Sequence, residues 1–132
     1  MILFIEDDLP TIDVYKTALE QAGFEVDPII LGQEAIRRVE EIEKGEAKMP
    51  DLVLLDLILP DMNGIEILEK IRKQQKTKDL LVFILTNYTN RELEEKGLLL
   101  KSEKYLLKTD YAPSKLVELI KKELSGSQNQ KL

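Results

Sequence analysis

Five short apolar runs, each followed by a longer segment of helical spacing, constrain this chain more than any other feature. The runs are Ile2–Ile5, Phe24–Leu31, Leu52–Asp56, Leu80–Leu85 and Lys104–Leu107, and their length and β-branched content suit buried strands. In the first helical segment Ile12, Tyr15, Leu19 and Ala22 share a face, with Pro10 in the opening turn and Gly23 as a stop. The second runs from about Gly32 to Glu43, with Ala35, Ile36, Val39 and Ile42 inward. The third opens after Asn63-Gly64 with Ile65, Leu68 and Ile71 inward, and the fourth, about Asn90 to Leu100, has weaker periodicity. The fifth, about Pro113 to Leu124, repeats Leu116, Leu119, Ile120 and Leu124. Parallel neighbours cannot be joined by a tight hairpin, so this alternation predicts parallel strands with crossover helices, an α/β fold covered on both sheet faces.

The 132 residues fit one domain, placed at 1–124, with "SGSQNQKL" (125–132) as a flexible, frayed tail and Lys44–Lys48 as an exposed loop. There is no cysteine and no histidine. That excludes disulfides, zinc–thiolate sites, thiol chemistry and the usual general base. A formal charge of −6 argues against nucleic-acid binding. No apolar run approaches the ~20 residues of a membrane span, and Met1 leads directly into the first run without a signal peptide. The expectation is a cytoplasmic protein.

In open parallel sheets ligands bind beyond the carboxyl ends of the strands. The first predicted strand ends in Glu6-Asp7-Asp8, the third in Asp56, the fourth in Thr86 and the fifth in Lys108. Carboxylates gathered at one rim persist only if neutralised or partly protonated. Oxygen ligands without histidine or cysteine suit a hard cation such as Mg²⁺. Such an ion would screen phosphorus and free Asp56 to act as nucleophile, while Thr86 donates to one phosphoryl oxygen and Lys108 pairs with another. The residues alone therefore point to a metal-assisted phosphoryl acceptor. Asp8 has a second reading, as N-cap of the first helix.

These residues, in "LFIEDD", "DLVLLDLILPDMNGIEIL", "ILTN" and "YLLK", resemble the receiver domain of two-component response regulators over residues 1 to 124. The resemblance implies a flavodoxin-like, doubly wound sheet of order 2-1-3-4-5 with five helices. It implies Asp56 as phosphoacceptor, and Glu6, Asp7, Asp56 and the Ile58 carbonyl as holders of Mg²⁺. It further implies Thr86 as switch hydroxyl, Lys108 as phosphate partner and Tyr105 as the switch aromatic. The phosphodonor would be a histidine kinase or phosphotransfer protein. The downstream protein would read the face formed by the fourth helix, fifth strand and fifth helix. No contact with nucleic acid or membrane is implied, and the chain would be a monomer or weak dimer whose only chemistry is its own phosphorylation and dephosphorylation.

Several positions depart from that pattern. Thr109 follows Lys108 where the family commonly has a proline in a cis peptide; a cis bond before a non-proline costs roughly 3 kcal/mol, so a trans or strained bond is expected here. Asn87 replaces the usual small residue after Thr86, and "LLLKSEKY" lacks the glycine turn common before the fifth strand. Ile58 and Tyr88 flank the acceptor and would hinder water, which implies slow self-dephosphorylation. A receiver-like interaction module that is never phosphorylated is the alternative. The expectation is either a stand-alone receiver acting through protein contacts or a fragment of a longer regulator, with Met1 set right on the first strand favouring the former.

Overall fold

The strands β1 (Ile2–Ile5), β3 (Leu52–Leu55) and β4 (Val82–Thr86) are buried along their whole length, which is why their sequences are continuous apolar runs rather than alternating ones. With β2 (Val26–Ile29) and β5 (Lys104–Leu107) they form one parallel sheet of order β2-β1-β3-β4-β5, the order the resemblance implied. The computed structural model describes residues 1–88 and 90–130. Pro28 lies in β2, an edge strand, where a missing N–H costs no ladder bond on the open side. Helices α1 (Leu9–Gln21) and α5 (Pro113–Gln130) cover one face, and α2 (Gly32–Glu43), α3 (Gly64–Lys73) and α4 (Arg91–Leu99) cover the other.

The strand and helix boundaries follow the sequence reading with informative differences. β2 is shorter than the apolar run that predicted it, because Ile30 and Leu31 leave the sheet and stand 43% and 45% exposed beside its carboxyl end. α5 continues past Leu124 to Gln130, so helical backbone occupies most of the segment expected to be a frayed tail; Lys131 and Leu132 lie outside the described residues. No helix among the described residues is long and apolar enough to cross a membrane. No described peptide bond is cis, so Lys108–Thr109 is trans as expected.

The missing glycine before β5 has a structural answer. Lys101 occupies the left-handed region at φ 60°. It closes α4 through bonds from its own N–H to the Leu98 carbonyl (3.0 Å) and from Ser102 N–H to the Gly97 carbonyl (2.9 Å), the paired pattern of a Schellman cap. Arg72, in the last turn of α3, clamps this cap: Nε donates to the Leu100 carbonyl at 2.7 Å and Nη2 to that of Lys101 at 3.0 Å. Its Nη1 also holds the carbonyls of Lys78 and Leu80, both at 2.8 Å. A β-carbon in the left-handed region costs about 1 kcal/mol. Lys101→Gly is therefore expected to raise the urea midpoint, with a gain of up to about 1 kcal/mol at unchanged slope; an unchanged or lower midpoint would contradict the strain.

Candidate functional site

Of the three adjacent carboxylates at the end of β1, Glu6 and Asp8 are each tied to backbone N–H groups. Glu6 is 1% exposed; its side chain folds back so that Oε2 accepts the N–H groups of Asp7 and Asp8, each at 3.1 Å. Asp8 is the N-cap of α1 and accepts from Thr11 N–H at 3.1 Å and from the Thr11 hydroxyl, bonds that hold its carboxyl below its ordinary value. The capping reading of Asp8 is thus the one the structure supports. Asp7 is left half-exposed and faces the rim.

Asp56 follows β3 directly and is 5% exposed. Its Oδ1 accepts from the Thr86 hydroxyl at 2.8 Å and from Ile58 N–H at 3.1 Å, and its Oδ2 accepts from Lys108 Nζ at 2.9 Å. Lys108 Nζ also lies 2.5 Å from Glu6 Oε1, but off the hydrogen-bonding direction. That oxygen is charge-compensated without a directed donor. Burial, opposed by Lys108 and reinforced by the Asp56 charge, pushes the Glu6 carboxyl up to about 7. Burial alone would lower the Lys108 ammonium, yet the adjacent carboxylates of Glu6 and Asp56 outweigh this and raise it. Carboxylate oxygens of Glu6, Asp7 and Asp56 lie within 4.8 Å of one another, the group among the described residues that is close enough to share a cation.

The rim lines a cavity of about 340 Å³ to which Thr86, Asn87 and Lys108 also contribute, with Ile58 and Tyr88 as its large exposed hydrophobic residues. A larger cleft, about 590 Å³, lies at the opposite end of the sheet between Phe24, Pro50, Leu81 and Leu124. Its polar lining residues, Asp51, Asp79, Lys121 and Ser125, are all exposed, so buried and mutually bonded polar groups rather than size mark the site. Tyr105 stands apart from the carboxylates: its hydroxyl donates to the Tyr88 carbonyl at 2.7 Å, tying β5 to the loop that follows Thr86. Burial, with Glu94 next in effect, pushes that phenol up to about 12.

Two supports of the site were not singled out from the sequence. Asp61 reaches from the loop after β3 to the start of α2 and accepts from Gly32 N–H at 2.8 Å and Gln33 N–H at 2.9 Å. It replaces the cap that Leu31, which has no acceptor, fails to provide. Tyr15 is the other, through a bond to the Tyr111 carbonyl at 2.6 Å.

A doubly wound parallel sheet whose strand ends gather an acidic cluster, a hydroxyl and a lysine around one aspartate defines a receiver-type signalling domain. Residues 2–121 match the response regulator receiver domain, and the chain belongs to that family. Among characterised relatives, the phosphate regulon transcriptional regulatory protein PhoB of Escherichia coli is 32% identical over 91% of this chain and 49% of its own length. PhoB of Rhizobium meliloti is 32% identical over 85% of this chain and 47% of its own. The chain thus spans about half the length of these relatives. Among solved structures, a CheY-like receiver domain protein from Methanospirillum hungatei superposes with a TM-score of 0.84 at 29% identity, covering 98% of this chain and 96% of that one. The phosphorylated cyanobacterial phytochrome response regulator RcpA gives 0.77 at 29% identity, covering 91% and 87%.

Proposed function

We propose that this chain is a phosphorylation-operated switch in which Asp56 accepts a phosphoryl group from a partner's phosphohistidine. The observation that carries this reading is the convergence of the Thr86 hydroxyl and the Lys108 ammonium on the Asp56 carboxylate beside Glu6 and Asp7. A carboxylate oxygen of Asp56 attacks phosphorus in line; the donor's N–P bond breaks, and the imidazole nitrogen leaves with the electron pair and takes up a proton. Bound to Glu6, Asp7, Asp56 and the Ile58 carbonyl, Mg²⁺ would supply the charge screening that lets an anionic nucleophile approach an anionic group. The residues fit such an ion: the donors are all oxygens, and Glu6 Oε1 is buried without a directed donor.

The new phosphoryl oxygens then compete for the donors that Asp56 now uses. Thr86 moves its hydroxyl bond to one of them, and Lys108 pairs with another. Both residues sit at the ends of β4 and β5, so their shift is passed to the loop carrying Tyr88 and, through the Tyr105 bond, to β5. α4 is poised to respond: Gly97 is its one buried residue, and Leu98 and Leu99 stand 71% and 80% exposed. Phosphorylation thus biases a two-state surface formed by α4, β5 and α5, which a downstream protein reads. With a formal charge of −6 this domain acts on protein surfaces, and any DNA contact of the kind the relatives' names imply falls to another domain or partner.

Incubation with phosphoramidate and Mg²⁺, followed by intact mass, is expected to add one phosphoryl group to the parent and none to Asp56→Asn. Ile58 and Tyr88, 51% and 42% exposed where they line the cavity, shield the phosphoryl group from water, so its loss is expected to take far longer than seconds. The departures at Asn87 and Thr109 favour the second reading, an interaction module with no phosphoryl chemistry; a parent that gains no mass would establish it.

A further inference from the structure

Lys108 is the last residue with a sheet bond, its N–H donating to the Thr86 carbonyl at 2.9 Å. Beyond it the chain turns through Thr109 and Asp110, with Asp110 N–H on the Leu107 carbonyl at 3.0 Å, before α5 begins at Pro113. Thr109 has no ring to restrict φ, so the turn relies on that internal bond and on what holds it from outside. The holder is Tyr15 of α1, whose hydroxyl donates to the Tyr111 carbonyl at 2.6 Å.

Tyr15 is itself fixed. It is 6% exposed, and its ring meets Phe4 edge-on with centroids 6.4 Å apart. Tyr111 packs against the same core, and Lys115 Nζ lies 4.8 Å above its ring. Tyr15 and Lys108 line one cleft of about 340 Å³ beside Pro10 and Asn87, and the Tyr15 phenol, raised mainly by burial, also feels the charges of Lys108 and Glu6. A rigid helix, a rigid ring and one short bond therefore lead to the loop that carries the ammonium.

We propose that Tyr15 is a positioning residue: by holding the Tyr111 carbonyl it fixes the turn after β5 and so sets where the Lys108 ammonium meets Asp56 and Glu6. Tyr15 touches no reacting atom and acts only through Lys108. This rests on Lys108 being the phosphoryl partner, and a misplaced charge of this kind costs roughly tenfold or more in rate.

The test uses Tyr15→Phe, Lys108→Met and the double variant, so that the ring and its packing remain when the hydroxyl goes. Phosphoryl loading from phosphoramidate with Mg²⁺, read by intact mass, is expected to slow about tenfold in Tyr15→Phe. Mg²⁺ affinity, read by tyrosine fluorescence, is not lowered, because none of its holders has moved. In the Lys108→Met background the same change has no further effect on loading. Equal slowing in both backgrounds, lost Mg²⁺ affinity, or no slowing at all would overturn the proposal. Urea unfolding of the metal-free proteins separates this from the functional reading. If the parent takes no phosphoryl group, the function fails; the positioning role still stands when the two single penalties do not add, and falls when they do.

Discussion

Gly64→Ala is expected to destabilise the protein by about 3 kcal/mol and to disable phosphoryl loading at the same time. A β-carbon on Gly64 would lie 2.3 Å from the Asp56 carbonyl oxygen and 2.9 Å from Leu57 Cα. Both are backbone atoms, so no side chain can swing aside to relieve the clash. The backbone here is held from several directions. Gly64 N–H donates to the Leu57 carbonyl at 2.8 Å, Asn63 caps α3 by accepting from Ile65 N–H at 2.9 Å, and Ile58 pairs with Asn63 across the loop. Relief must come from moving Asp56 or the start of α3, and either motion pulls the carboxylate away from Thr86 and Lys108. Gly32→Ala is the control, since its β-carbon would meet the Met62 side chain at 2.3 Å, a group with rotamers to spare. Urea midpoints for both variants, with loading by intact mass, check the contrast. A Gly64→Ala protein as stable as the parent would contradict the close approach.

How much of this was legible beforehand depends on how local each signal is. The acids of β1, Asp56, Thr86 and Lys108 were readable because each ends an apolar run, and parallel strands place all such ends at one rim. Asp8 was readable as a cap because its partner, Thr11, is three residues away. Asp61 was not, because the N–H groups it holds are 29 and 28 residues distant; the one clue was that Leu31 offers α2 no acceptor. Arg72 gave no sign, since Lys70 and Lys73 share its helical turn and nothing local distinguishes a clamp from solvated charge. The same holds for Tyr15, whose spacing marks a core position and nothing more. The absent glycine before β5 was visible, yet only the fold shows that Lys101 bears the left-handed turn and that Arg72 holds its carbonyl.

Removing the Lys108 ammonium from this rim has the largest effect expected of any change to the site. Lys108→Met leaves Glu6 and Asp56, 1% and 5% exposed, with Asp7 close by and no counter-charge. Deleting one partner of such a buried group costs about 3 kcal/mol or more, because the orphaned charges stay desolvated. The cost depends on pH in a definite direction. Glu6 already titrates in the folded protein at about 7 rather than 4.5, so the folded state holds more protons than the unfolded one between those values, and stability falls as pH rises through the interval. Without Lys108 the folded value moves higher still. The Glu6 part of the penalty is therefore small below about pH 7, where folded parent and folded variant both carry a protonated Glu6, and grows as pH rises from there toward the variant's higher value. The Lys108 ammonium is raised above its usual 10.5; its contribution in the parent is complete below that value and fades only as pH climbs through the folded one. A divalent cation offers the same relief as acid, since it restores positive charge among the same three carboxylates. Millimolar Mg²⁺ is then expected to stabilise Lys108→Met more than it stabilises the parent. Urea melts at pH 8 and pH 5, with EDTA and with Mg²⁺, measure all of this; a variant that melts with the parent at pH 8 in EDTA would show that Lys108 does not hold the acids together.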